Sequence, residues 1–138
     1  MTRWPHVFFA TATVYILIGV LWGMAMSLSQ NHATYSAHAH LNLIGWVSQG
    51  LMGLFYATLG RRTPNWLAAT NYVFTNIGVI CMTLVLYLYL SGTPAPKQLM
   101  LGLYAVGPSS VVLGFFFFAG AVFTALVRAW KTPAVATA

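Results

Sequence analysis

The 138-residue chain contains no aspartate and no glutamate. Paired carboxylates for general acid/base work, glycosidase dyads, calcium loops and carboxylate-bridged metal sites are therefore excluded. Cysteine occurs once, as Cys81 inside an apolar stretch. A single thiol makes no intrachain disulfide. With no CxxC or CxxCH, covalent c-type haem attachment and iron–sulfur ligation are excluded as well. Cys81 reads as a small core residue. Charge of either sign is scarce, at 4% of residues, where soluble domains carry about 25%. The net charge of +6 comes from six scattered cations that form no basic patch, so nucleic acid is not an expected partner.

What the chain does have is apolar length. Hydrophobic residues make up 59% of it, and the mean hydropathy is +0.78. No water-exposed surface can be built from this composition, which predicts an integral membrane protein with membrane lipid as its surroundings. A spanning helix needs roughly 20 apolar residues, and residues 6–28, 37–59, 66–90 and 98–127 each qualify. The connections at residues 29–36, 60–65 and 91–97 are short. They predict an all-α, up-down-up-down four-helix bundle that forms one transmembrane domain over residues 1–138. The first run resembles a signal peptide, with Arg3 ahead of it and Ala25 and Ser27 near its end. It exceeds the usual 7–15 residue apolar core and is read as a true first span.

Loop cations set the expected orientation. Arg3, Arg61, Arg62, Arg128 and Lys131 fall on one side and Lys97 alone on the other. Both termini are therefore expected in the cytoplasm, in a bacterial inner (cytoplasmic) membrane. Trp4, Trp66 and Trp130 stand at the cytoplasmic span ends as interfacial anchors. Pro108 is expected to kink the fourth span. The aromatic band at residues 115–118 faces lipid, neighbouring helices or a flat cofactor. Met24 and Met26, near the outer end of span 1, read as packing residues or as soft ligands for copper or haem iron.

The chemistry concentrates at His38-Ala39-His40, which opens the second span. His32 reads as a solvated loop residue, and His6 as one reaching the cytoplasmic interface. On a helix, residues two apart are separated by about 200° around the axis and about 3 Å along it. His38 and His40 therefore cannot chelate one ion together, but each can serve a different centre. Ionisable side chains at membrane depth are usually functional; the plainer alternative is a pair of interfacial imidazoles bonded to headgroups. Gly45, Gly50 and Gly53 remove bulk from the same helix, which allows close helix packing or leaves room for a flat macrocycle. Neutral imidazole is an axial ligand of haem iron. Asn42, Ser36, Tyr35 and backbone carbonyls are candidate partners for the second ring nitrogen.

The stretch His38-Ala39-His40, Gly45-Trp46-Val47 and Gly53-Leu54-Phe55-Tyr56 resembles the tenth helix of the catalytic subunit of haem-copper oxidases. It is closest to the C-type oxidases and the related nitric oxide reductases. The resemblance implies that His38 is a proximal ligand of one haem and that His40 ligates a second haem across the helix. It also implies that the chain corresponds to one of the three four-helix arcs of that subunit, standing alone. The resemblance covers only residues 38–56. It lacks the adjacent His pair and the His-x-x-x-Tyr of the copper site, so a complete oxygen-reducing centre is not expected. The family's propionate-binding arginines map onto the loop that holds Lys97, which is either a propionate partner or a solvated lysine.

Closing heterologous contacts make rings. The expectation is a homotrimer with one haem b per chain, each held near the periplasmic side by His38 of one subunit and His40 of the next. The function expected is electron transfer through bis-His haem, with quinol or a periplasmic cytochrome as electron partner. A gas-binding haem protein or reductase for oxygen or nitric oxide, or a copper- or haem-handling accessory subunit of an oxidase, are the alternatives.

Overall fold

The structure is a computed structural model that describes residues 3–61 and 63–131; Arg62, one of the cations used above for orientation, lies outside them. The described residues are all-helical. The elements are α1 (Trp4–Ser29), α2 (Tyr35–His40), a π-helical segment (Leu41–Ser48), α3 (Gln49–Ala57), α4 (Asn65–Ser91) and α5 (Lys97–Lys131). Three of them, α1, α4 and α5, are long and apolar enough to cross a membrane. The 26 residues of α1 reach about 39 Å at 1.5 Å per residue, more than the roughly 30 Å hydrocarbon layer. The 35 residues of α5 reach about 52 Å and must project beyond that layer. These helices are compatible with a multi-pass membrane protein.

The second expected span differs from the other three. Residues 35–57 are helical throughout, but the rod changes from α to π to α, and no part of it is one long α-helix. The hydroxyl of Ser48 donates to the Leu43 carbonyl at 2.8 Å, five residues back, the spacing that a π-turn sets. Glycines at 45, 50 and 53 weaken α-helical preference through this region, and tertiary contacts then select the register.

Each neighbouring pair of helices runs antiparallel. A side chain placed on Gly53 would meet Phe8 of α1, one on Gly45 would meet Tyr15, and one on Gly23 would meet His38. The second rod meets α4 through Tyr56 with Asn71, and Gln49 with Asn76. The most extensive interface is α4 on α5. There the buried residues of α5 are Gly107, Ser110, Gly114 and Ala121, small residues at heptad-like spacing that let backbones approach. A Cβ on Gly107 would lie 2.8 Å from the Met82 backbone nitrogen, and one on Gly78 would lie 2.6 Å from that of Val111. α5 stays helical through Pro108, which sits on its exposed side. α1 and α5 share no comparable interface among the described residues.

The surface is apolar and the interior is partly polar. Leu17, Leu21, Leu51, Phe116 and Phe123 are well exposed, whereas Gln49, Asn71 and Thr75 are fully buried. In water this distribution would be costly, because it presents large apolar area and hides amides. In lipid it is favourable.

Candidate functional site

The end of the molecule that carries the histidines is tied down before the second rod begins. Trp22 Nε1 of α1 donates to Thr34 Oγ1 at 3.1 Å, and Thr34 Oγ1 in turn donates to the Met26 sulfur at 3.6 Å. The Tyr35 amide donates to the His32 carbonyl at 3.1 Å. These bonds fold residues 30–34 against α1 and fix where the rod starts. Met26 is buried in this tie, while Met24 is exposed.

His38 and His40 are both half-buried and lie in different surroundings. His38 faces α1. Its ring stands edge-on to Trp22 with centroids 6.1 Å apart, and its Cε1 lies 3.2 Å from where a side chain on Gly23 would begin. The Asn42 amide nitrogen lies 3.1 Å from His38 Nε2 and 3.4 Å from Nδ1. Asn42 Oδ1 points toward α1, where Gly19 leaves space for it, and has no hydrogen-bond partner.

His40 is set differently. Its Nδ1 lies 2.7 Å from the Ser36 carbonyl oxygen. A carbonyl only accepts, so Nδ1 carries a proton, and in the neutral imidazole Nε2 then keeps its lone pair. A hydrogen-bonded Nδ1 opposite an available Nε2 is the state in which imidazole ligates a metal. Four residues on, within the π-helical segment, Ile44 lines an apolar groove of about 490 Å³ with Val111, Val112, Phe115, Phe116 and Ala119 of α5; His40 is not among its lining residues. The groove is apolar, and a single imidazole, His40, precedes it on the same rod.

The other expected site residues are more dispersed. Gly45 is buried, and a Cβ on it would lie 2.9 Å from the Tyr15 ring, so its smoothness receives a tyrosine of α1. Lys97 is the exposed first residue of α5, at the same end of the molecule as the histidines. The aromatic band divides. Phe115 and Phe116 line the groove, while Phe117 stacks on Phe74 at 5.5 Å and Phe118 stands edge-on to Phe55 at 5.2 Å. His6 and His32 are exposed, and Cys81 is a free, half-buried thiol. No group of three or more metal-ligating side chains occurs among the described residues.

A polar seam between the two ends of the bundle was not anticipated from the sequence. Asn76 accepts from the Tyr15 hydroxyl at 2.8 Å and exchanges amide bonds with Gln49 at 3.2 and 3.3 Å. Asn71 donates to the Gly114 carbonyl at 2.8 Å and accepts from the Tyr56 hydroxyl at 3.4 Å. Thr11 and Tyr72 share a 2.7 Å bond. The available signal was the amide residue itself, since an Asn or Gln within an apolar run needs a partner.

No family model, curated protein or solved structure matches this chain.

Proposed function

We propose that the chain is a multi-pass membrane b-type haem protein that transfers electrons, with His40 as its primary axial ligand. One observation carries this reading, the 2.7 Å contact of His40 Nδ1 with the Ser36 carbonyl, which leaves Nε2 of the neutral imidazole available to a ligand. Haem iron, cycling between ferric and ferrous states, supplies one-electron chemistry when bound. The protein supplies a tautomer-fixed imidazole, the apolar walls of Ile44, Phe115 and Phe116, and exclusion of water. The topology that suits this role is four spans with both termini cytoplasmic and the histidines toward the outer face of a bacterial inner membrane.

A homotrimeric ring is part of the proposal. His38 stands on the α1 side of the rod, and His40, two residues on, points away from it across the helix. α1 and α5 lie at opposite edges of the packing order, so copies related by a closing rotation would set the α1 edge of one against the α5 edge of the next. Each haem would then take His40 from one subunit and His38 from its neighbour. Quinol or a periplasmic cytochrome is the proposed electron partner, and Lys97, at the same end, the proposed propionate partner.

The position of Asn42 favours a second reading. Its amide lies against both nitrogens of His38. If it stays there, iron held by His40 keeps an open position and binds oxygen or nitric oxide.

Absorption spectra of the purified protein, oxidised and reduced, with and without carbon monoxide, decide between these. Sharp reduced bands that carbon monoxide leaves unchanged are expected for bis-His haem, at one haem per chain. A carbon monoxide shift supports the open site. H40A is expected to abolish haem binding under either reading, and H38A to abolish only the low-spin form. A protein expressed with ample haem that shows no haem bands would overturn both.

A further inference from the structure

The end of the molecule opposite the histidines carries a second site. Arg61 and Arg128 are far apart in sequence, but both line one hollow of about 250 Å³ together with Thr58, Leu59, Thr63 and Ala125. Arg128 also lines an adjoining hollow of about 550 Å³ with Phe123, Val127 and Lys131. The guanidinium of Arg61 is held in place, because its Nε donates to the Ala57 carbonyl at 2.6 Å. That leaves its two terminal nitrogens for an anion, the fork geometry that suits phosphate.

The second hollow is ordered in depth. Phe123 lies about 8 Å below Arg128 along α5, so apolar side chains face the membrane interior and cations stand at its edge. We infer that this is a binding site for the headgroup of an anionic phospholipid, with Arg61 and Arg128 on the phosphate, Lys131 at the rim and the acyl chains descending past Val127 and Phe123. Basic hollows between spanning helices at the cytoplasmic boundary take such headgroups. Soluble phosphate would share the cations but gain nothing from the apolar wall. The site rests on the membrane reading of the chain and is independent of haem.

Native mass spectrometry of the detergent-solubilised protein, titrated with phosphatidylglycerol or phosphatidylcholine, tests the assignment. Phosphatidylglycerol is expected to be retained preferentially, and R61Q/R128Q to retain it about tenfold less. R3Q, which removes a cation at the same end of the molecule outside both hollows, is expected to bind as the parent does. R61K/R128K, which keeps charge but loses the fork, is expected to fall between them. Equal retention by the two charge-removing variants overturns the site, as does equal affinity of the parent for both lipids. Displacement of phosphatidylglycerol by millimolar inorganic phosphate overturns the lipid assignment. Because Arg61 and Arg128 are both exposed, the variants are expected to keep the parent's melting temperature, which is measured alongside.

Discussion

Gln49 and Asn76 answer each other completely, each amide both donating to and accepting from the other. Replacing Asn76 with leucine takes both bonds from the fully buried Gln49 amide, whereas Asn76 without Gln49 keeps the Tyr15 hydroxyl and the Tyr72 carbonyl. A double-mutant cycle of Q49L and N76L, measured by unfolding in detergent, is expected to give a coupling of about 0.6–1.7 kcal/mol. A coupling near zero would show that the pair does not form. Asn42 is the contrasting case, since its buried carbonyl oxygen has no donor. Truncation to N42A removes the amide from His38 Nε2. On the haem proposal, the share of haem insensitive to carbon monoxide then rises, and an unchanged share would mean that Asn42 does not govern access to His38. The residue types at these positions could be read directly from the sequence, but their partners could not. His38 and His40 stand out because imidazole is rare in such a run, whereas nothing in the linear order pairs Gln49 with Asn76 or Asn71 with Tyr56.

The second rod is the element in which local and tertiary preferences disagree. Span borders read from hydropathy lie within a few residues of the observed ends of α1, α4 and α5, because apolar length is a local property. The π-segment was not legible, because its register is set by what the rod must meet on both sides. The same rod brings His38 to α1, Gly45 to Tyr15 and Gln49 to Asn76. Deleting the exposed Leu43 should restore α-helical continuity and turn the histidine end by about 100° relative to α3. The deletion variant is expected to retain its far-ultraviolet circular dichroism and lose haem; full haem occupancy would show the π-segment to be dispensable. On α4 and α5 the small-residue stripe makes a separate prediction. A side chain on Gly114 collides with Thr75 of α4, so G114V is expected to cost about 1–3 kcal/mol in detergent unfolding, whereas G102A, at a position with open space, is expected to change little.

At the scale of the whole molecule, the proposed topology places residues 30–34 and 92–96 outside and the ends of α3 and α5 inside. In a C81A background, cysteines at exposed Ser29 and Thr93 should react with a membrane-impermeant maleimide added to intact cells, and one at exposed Thr58 should react only after lysis. The reverse pattern would invert the molecule and place the histidines inside. The trimer predicts a detergent-corrected mass three times that of the chain, with three haems. A folded, haem-loaded monomer would refute the shared-haem arrangement while leaving His40 as a ligand.

The sequence by itself determined that the protein is helical and rich in apolar surface, and that its two closely spaced histidines stand at one end of the second rod. These follow from composition and from rise per residue, which need no partner. Only the tertiary structure decided that His40 bonds the Ser36 carbonyl while His38 meets Asn42 and Trp22, that Gly45 receives Tyr15, that amides meet in a seam, and that Arg61 and Arg128 share a hollow. Each of these depends on which faces of which helices touch, and in this chain small residues on several helices set that contact.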